Sequence, residues 1–538
     1  MEIKSKYLGN KRKLILSSIL LSFLIILPLL ALIFSIFGVE ASSFFYLWDN
    51  LLLDYSIDTI YLVTLVSFFS LILGVIPAWF VSTTNFPAKN IYDVMLYLPL
   101  AIPSYIMAFT YSDILSYTGP LQVFMREYLP KYSYFFNHDY LQIEILGIIM
   151  ALSLYPYIYT ACRISFSLIG SNYIYLAKSL GIPPLRTFFK IIVPISRVSI
   201  FSGLFLVIME VLNEYGAVRY FGINTFTSGI FRSWNSMQDV ETASLLALIL
   251  FAVVFIFFFT ERILNSKFKF NYTPNTEKIL ANRAKSSNSF LMHISCLVPI
   301  LFGFIIPLIF IISNVVHEFN EIDFSRVLEL TSNTVFISLI ATFIIILIAV
   351  YFQFTRRIFR NSKISLFNET VSLTYAIPGA VISLALIILA TSTPLNSQFL
   401  IGSFFLLIYA YVIRYMAVGI SPLKSSFEKH PISYDDMAFS LGMSPLKLFK
   451  KVHYPINKSA IAVAFLITFV DIIKELPITL ILSPFNFSTL SVQAYQYAID
   501  EMIPKSAIYS LLIIVLGAIL LIFLKIIVNR KVDVSKNQ

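Results

Sequence analysis

Apolar runs of roughly 18 to 25 residues recur along this sequence, each long enough to cross a hydrocarbon core about 30 Å thick. Lipid offers no partner for an unpaired backbone N–H or C=O, so the runs read as helices. They lie near residues 14–36, 57–81, 94–118, 143–162, 198–220 and 243–263, then 291–315, 333–354, 370–391, 399–421, 459–482 and 506–528. The chain is 58% hydrophobic and 13% charged, with a mean hydropathy of +0.83, which is more apolar surface than a soluble core can hide. The expected fold is an all-α integral membrane protein of about twelve transmembrane helices.

With the amino terminus placed in the cytoplasm and sides alternating, most of the 39 Lys and Arg residues fall in inner loops or at inner span ends, six fall on the outer side, and Lys474 lies within a helix. The positive-inside rule favours that orientation, which puts both termini in the cytoplasm. The loop from Phe37 to Ser56 carries Glu40, Asp49 and Asp54 and no Lys or Arg, whereas Arg356, Arg357, Arg360 and Lys363 cluster on the inner side. The net charge of +10 is thus mainly a topology signal. Its dispersal over separate loops argues against a nucleic-acid footprint. Lys11, Arg12 and Lys13 before the first run and Val39-Glu40-Ala41 after it outline a secretory signal, but the run is too long for one and reads as a span. Cys162 and Cys296, both at helix ends near the cytoplasm, read as small apolar fillers rather than a disulfide. His138, His293, His317, His430 and His453 have no ligand spacing, and no tight metal site is expected.

Residues 264–290 form the only long polar stretch between helices and divide the chain into 1–263 and 291–538, about six spans each. The halves repeat. SLGIPPLRTFFKIIVP, from Ser179 to Pro194, is matched without a gap by SLGMSPLKLFKKVHYP, from Ser440 to Pro455. AIP at Ala101 to Pro103 recurs at Ala376 to Pro378, and Asp58-Thr59 opens a span as Asn333-Thr334 does. Six spans separate the copies, so the halves are parallel and both loops, 170–197 and 428–458, lie in the cytoplasm. Each loop reads as a helix, a Gly that permits a sharp turn, and a short amphipathic helix closed by a Pro. Leu185, Phe188, Phe189 and Ile192 share one face, with Arg186 and Lys190 off it; Leu446, Phe449 and Val452 do the same, with Lys447, Lys450 and Lys451 solvated. A single such helix suits a membrane surface, whereas its duplication suits two equivalent sockets for a pair of identical partners.

Ionisable residues stand inside apolar runs at Glu210 and Glu214 and at Asp471, Lys474 and Glu475. Such groups are costly in lipid and should face the bundle interior or a watery cavity. An offset of 261 residues maps Glu210 onto Asp471, Glu214 onto Glu475 and Gly181 onto Gly442. The i, i+4 spacing places each carboxylate pair on one helix face. Two readings stay open: Lys474 neutralises one carboxylate while the rest brace helices, or the four form an acidic lining for a hard cation, to which oxygen ligands are suited. Tyr105, Tyr155, Tyr157 and Tyr159 either add phenolic oxygens or pack, and Pro77, Pro99, Pro103, Pro156 and Pro378 are expected to interrupt spans.

The two loops resemble the EAA motif of binding-protein-dependent ABC transporter permeases. The second copy matches as Asp436, Met437, Ala438, Gly442 and Pro455, with Asp for Glu; the first has Tyr175 at the acid's place, then Leu176, Ala177, Gly181 and Pro194. The stretches MEVLNEYGAVRYFGINTFTSGIF, from Met209, and VDIIKELPITLILSPFNFSTLSVQAY, from Val470, look like fused permeases of ferric iron importers, which carry both halves in one chain. The resemblance implies two type I importer (MetI-like) halves in a prokaryotic cytoplasmic membrane. It implies an external substrate-binding protein and two copies of a cytoplasmic ATPase bearing ATP and Mg. It assigns coupling contacts to Ala177, Gly181, Leu185, Phe188, Pro194, Asp436, Ala438, Gly442, Leu446, Phe449 and Pro455. A permease binds its cargo weakly, so no tight metal cage and no cofactor are expected on this chain. Gly is never followed by Lys, so the phosphate-cradling loop of an ATPase is absent and no enzyme activity is expected. Thiamine, phosphonate or polyamine permeases are alternative relatives. An ion-coupled secondary transporter calls for a Gly- and Arg-rich loop after the second span, where Ser82 to Asp93 has only Lys89 and Asp93 charged.

Overall fold

The computed structural model describes the 538-residue chain apart from residues 1, 39–40, 133–136, 169–175, 178, 268–281, 284–285, 360–370, 372–373, 375–376, 393–399 and 535–538. Most of the expected linker, Tyr175, Arg360, Lys363 and Ala376 therefore lie outside the described residues. A helix stands at each of the twelve expected places: α1 (Glu2–Ser35), α2 (Leu52–Thr83), α3 (Ser104–Leu115), α4 (Ile143–Leu168), α5 (Val193–Asn213), α6 (Val240–Lys267), α7 (Phe290–His317), α8 (Phe324–Phe359), α9 (Gly379–Ser392), α10 (Phe404–Lys429), α11 (Tyr454–Ile473) and α12 (Ile503–Val534). Among the described residues the one strand pairing is a two-residue parallel contact of Thr84–Asn85 with Asn282–Arg283.

Not all twelve are straight spans. Ten are long and apolar enough to cross a membrane; the third is a pair, Lys89–Ala101 and Ser104–Tyr128, bent by 92°, and α9 has only 14 residues. The repeated AIP motif is the cause. Pro103 lacks an N–H and pushes Ile102 out of the helical region to ψ 110°, so the chain turns before α3 starts. Pro378 sits in the same place before α9. Pro77 and Pro156, by contrast, lie inside unbroken helices.

Each half is built on a trio of mutually packed helices, α2–α4–α5 in the first and α8–α10–α11 in the second. The centres of the trios are α4 and α10, whose apolar stretches are 72% and 61% buried, against 28% for α1 on the lipid side. Neither half is self-contained. The first helix of each packs on the other: α1 lies against α8, α9 and α10, and α7 against α2 and α3. Tyr351 of α8 donates to the Leu14 carbonyl at 3.0 Å and meets the Ser17 hydroxyl at 2.5 Å, and Tyr409 of α10 donates to the Leu24 carbonyl. Reciprocally, Tyr111 donates to the Phe302 carbonyl of α7, and His293 of α7 bonds the Tyr92 hydroxyl at 3.0 Å.

Candidate translocation cavity and coupling loops

One cavity lies where the halves meet and brings together all five ionisable residues singled out by sequence, Glu210, Glu214, Asp471, Lys474 and Glu475. Tyr105 and Tyr157 also line it, whereas Tyr155 is buried in packing and Tyr159 donates to Asp93 at 2.6 Å. Asn213, Arg414 and Tyr415 complete its polar wall.

The expected i, i+4 faces do not form, because both helices stop inside the motif. α5 ends at Asn213, Glu214 is extended with ψ 123°, and its Oε1 accepts the Ala217 N–H at 3.0 Å to cap the short helix Gly216–Tyr220. α11 ends at Ile473, and Glu475 Oε1 accepts the Ile478 N–H at 2.9 Å to cap Pro477–Leu482. The carbonyls freed by the breaks are also taken: Thr227 donates to Glu214 O and Ser491 to Glu475 O, each at 2.7 Å. A hydroxyl on each following helix thus replaces the missing helical donor. The Asp58-Thr59 and Asn333-Thr334 pairs now gain a role. Thr59 accepts from the Phe226 N–H at 3.3 Å and Thr334 from the Leu490 N–H at 2.9 Å, pinning the helices that carry Thr227 and Ser491 to α2 and α8. The breaks touch each other at Gly216, where a Cβ would stand 2.7 Å from both Leu476 and Tyr105.

Two carboxylates, Glu214 and Glu475, therefore brace. Glu475, 5% exposed, also accepts the Tyr415 hydroxyl at 2.5 Å. Asp471 pairs with Lys474 at 3.0 Å. Four carboxylates against Arg414 and Lys474 leave the cavity wall formally two units negative. The wall is not symmetric: Asn213 accepts the Gly379 N–H at 2.7 Å, so a first-half side chain caps the second-half helix α9, while its counterpart by offset is Lys474. Arg414 donates to the Ile377 carbonyl just before the same helix. The sequence signal for Arg414 was present, a charge in the middle of the 399–421 apolar run; Asn213 and Tyr415 carried none.

The coupling loops share a backbone. Gly181 and Gly442 have φ of +69° and +70°, and a Cβ at either position would meet nothing within 4 Å, so conformation rather than space demands glycine. Pro194 and Pro455 do not close a separate helix, as the sequence had implied. The short helices Pro184–Thr187 and Pro445–Leu448 run through wide turns, Phe188–Ile192 and Phe449–His453, into α5 and α11. In each wide turn the N–H reaches back five residues, Val193 to Phe188 O and Tyr454 to Phe449 O, which accommodates a proline without a break. The extra residue rotates the face. Ile192 is buried and Phe188 packs its ring 5.2 Å from Trp79, but Leu185 and Phe189 are 74% and 62% exposed. Likewise Phe449 packs 5.2 Å from Phe354 while Leu446 points out. Ala177 and Ala438 are buried, and Asp436 is exposed. The exposed apolar positions recur in register: Leu176, Leu180 and Leu185 match Met437, Leu441 and Leu446 at the 261-residue offset.

Residues 70–270 match the model of the family described as binding-protein-dependent transport system inner membrane component. That span of the chain resembles a permease domain of that family. The permease is similar to the Fe(3+)-transport system permease protein FbpB 2 of Haemophilus influenzae, 25% identical over 87% of this chain and 88% of that one. It is also similar to the sulfate transport system permease protein CysT of Escherichia coli, 24% identical over 46% of this chain and 88% of the relative. A third relative, the molybdenum transport system permease protein ModB of Haemophilus influenzae, is 27% identical over 29% of the permease and 65% of itself. The permease is a multi-pass membrane component of an ABC import system.

Proposed function

We propose that this permease imports ferric iron, with two copies of a cytoplasmic ATPase seated on the loops 170–197 and 428–458 and an external binding protein delivering the cargo. The observation that carries the cargo is the 87% span of the likeness to the Fe(3+)-transport permease, which runs across both halves, where the sulfate and molybdenum relatives match half of the chain or less. The carboxyl oxygens gathered in the cavity wall suit a hard cation better than an oxyanion. The paired exposed triads, Leu176, Leu180, Leu185 and Met437, Leu441, Leu446, support two equivalent sockets. In this reading ATP-driven closure of the ATPase pair draws the loops together, rocks the halves 1–263 and 291–538 from inward- to outward-facing, and hydrolysis resets them. The amino and carboxyl termini lie on the ATPase side, and the chain itself performs no chemistry.

The test is uptake of radiolabelled ferric iron by iron-starved cells with and without the gene, with labelled thiamine, sulfate and molybdate as controls. Loss of iron uptake alone is the expected result. Intact iron uptake with loss of one of the others would move the cargo to that solute.

A further inference from the structure

Among the described residues the two coupling loops are anchored by different chemistry. In the second, Asp435 is 2% exposed and both its oxygens are engaged, Oδ2 by Arg357 Nε at 2.7 Å and Oδ1 by His453 Nε2 at 2.7 Å. The other Arg357 donors reach the Phe427 carbonyl, His430 O at 3.2 Å and Pro431 O at 2.8 Å, carbonyls at the end of α10 and just beyond it. The His453 ring stacks on Phe427 with centroids 5.5 Å apart and meets the edge of Phe354 at 5.5 Å. One buried network thus joins the end of α8, the end of α10, and the loop on both sides of the Gly442 turn. In the first half the repeat registers place Ser82, Ile174 and Ile192 where Arg357, Asp435 and His453 stand, none of them ionisable. There the described contact to α2 is the Phe188–Trp79 ring pair.

We propose that Arg357, Asp435 and His453 are positioning residues that make the second loop the stiff one of the two couplings. A push on its outer face moves α8 and α10 as one body. α10 then carries the motion to Arg414 and Tyr415 of the cavity wall, which bond the Ile377 carbonyl just before α9 and the Glu475 carboxylate. From Phe427 to Tyr415 this is a lever of about 18 Å at 1.5 Å per residue. The first loop, whose described contact with α2 is the apolar Phe188–Trp79 pair, gives before it pulls. The asymmetry follows from the physics of the anchor: removing one partner of a buried ion pair strands the other charge, so the pair tolerates little displacement, whereas apolar contacts have no preferred register.

This inference rests on the docking reading of the loops, and the experiment separates the two. The assembled complex is reconstituted in proteoliposomes, ATPase retention is measured by copurification, and cargo moved per ATP hydrolysed is compared for wild type, Asp435→Asn, His453→Gln, the double variant and Trp79→Leu. The expected result is retained ATPase and hydrolysis, with cargo per ATP lowered about fivefold by Asp435→Asn, no further loss in the double variant, and a smaller loss in Trp79→Leu. A simple structural defect would lower assembly and leave the ratio unmoved. Wild-type ratios in Asp435→Asn and the double variant overturn the inference; failure of the wild type to retain any ATPase overturns the docking reading instead. Should Asp435→Asn not accumulate, Arg357→Lys keeps the charge but loses the carbonyl fork, and a wild-type ratio there overturns the proposal equally.

Discussion

Glu475 separates bracing from cargo handling, because two substitutions remove different things. Glu475→Gln deletes the charge but keeps both hydrogen bonds: the amide oxygen still accepts from Ile478, and the amide nitrogen can donate to the Tyr415 hydroxyl. Glu475→Leu, similar in size, deletes both. Loss of the cap on Pro477–Leu482 costs about 1 kcal/mol. Leaving the Tyr415 hydroxyl, on a residue 6% exposed, without a partner costs about 1–3 kcal/mol more. The leucine variant should therefore be about 2–4 kcal/mol less stable than the glutamine variant, with the charge absent from both. Unfolding of the purified complex in mixed micelles titrated with SDS measures the difference, and vesicle uptake of labelled ferric iron measures function. A leucine variant within about 0.5 kcal/mol of the glutamine variant would refute the cap and hydroxyl argument. Reduced uptake in Glu475→Gln at full stability assigns the charge to cargo; unchanged uptake leaves Glu475 as a brace alone.

Gly442→Asp and Gly181→Asp force a side chain onto φ near +70° in open space, so both proteins should insert and fold while transport falls with ATP hydrolysis retained; normal transport in both would remove the docking role of the turns. Gly216→Ala places a methyl 2.7 Å from Leu476 and Tyr105 and should cost about 1–3 kcal/mol in the same SDS titration, with Leu476→Ala restoring part of it; no rescue would mean that the breaks do not meet there.

The span count was nearly legible because lipid imposes a length, and the duplicated glycine turns were legible because φ near +70° selects glycine at both places. What sequence could not show was where a helix stops. Glu210–Glu214 and Asp471–Glu475 fit one helical face on paper, but Glu214 and Glu475 act as caps beyond the helix ends, and nothing local announces this at Glu214, where no proline follows. Pro477 was the only hint in the second half. Gathering the five ionisable residues into one cavity was foreseeable from cost in lipid; the Arg357–Asp435–His453 network was not, since Arg357 and Asp435 stand 78 residues apart and no local pattern links them.

The exchange of α1 and α7 between halves bears on biosynthesis. α1 has its seat on α8, α9 and α10, which leave the ribosome some three hundred residues after it, so α1 must wait in lipid with its packing face open. The bonds from Tyr351 to Leu14 and from Tyr409 to Leu24 then close very long loops of chain, and they close late. A quality-control protease that recognises an unseated amino-terminal helix would sense completion of the carboxyl-terminal half, and substitutions at Tyr351 or Tyr409 should shorten the lifetime of newly made chains more than they weaken the finished protein.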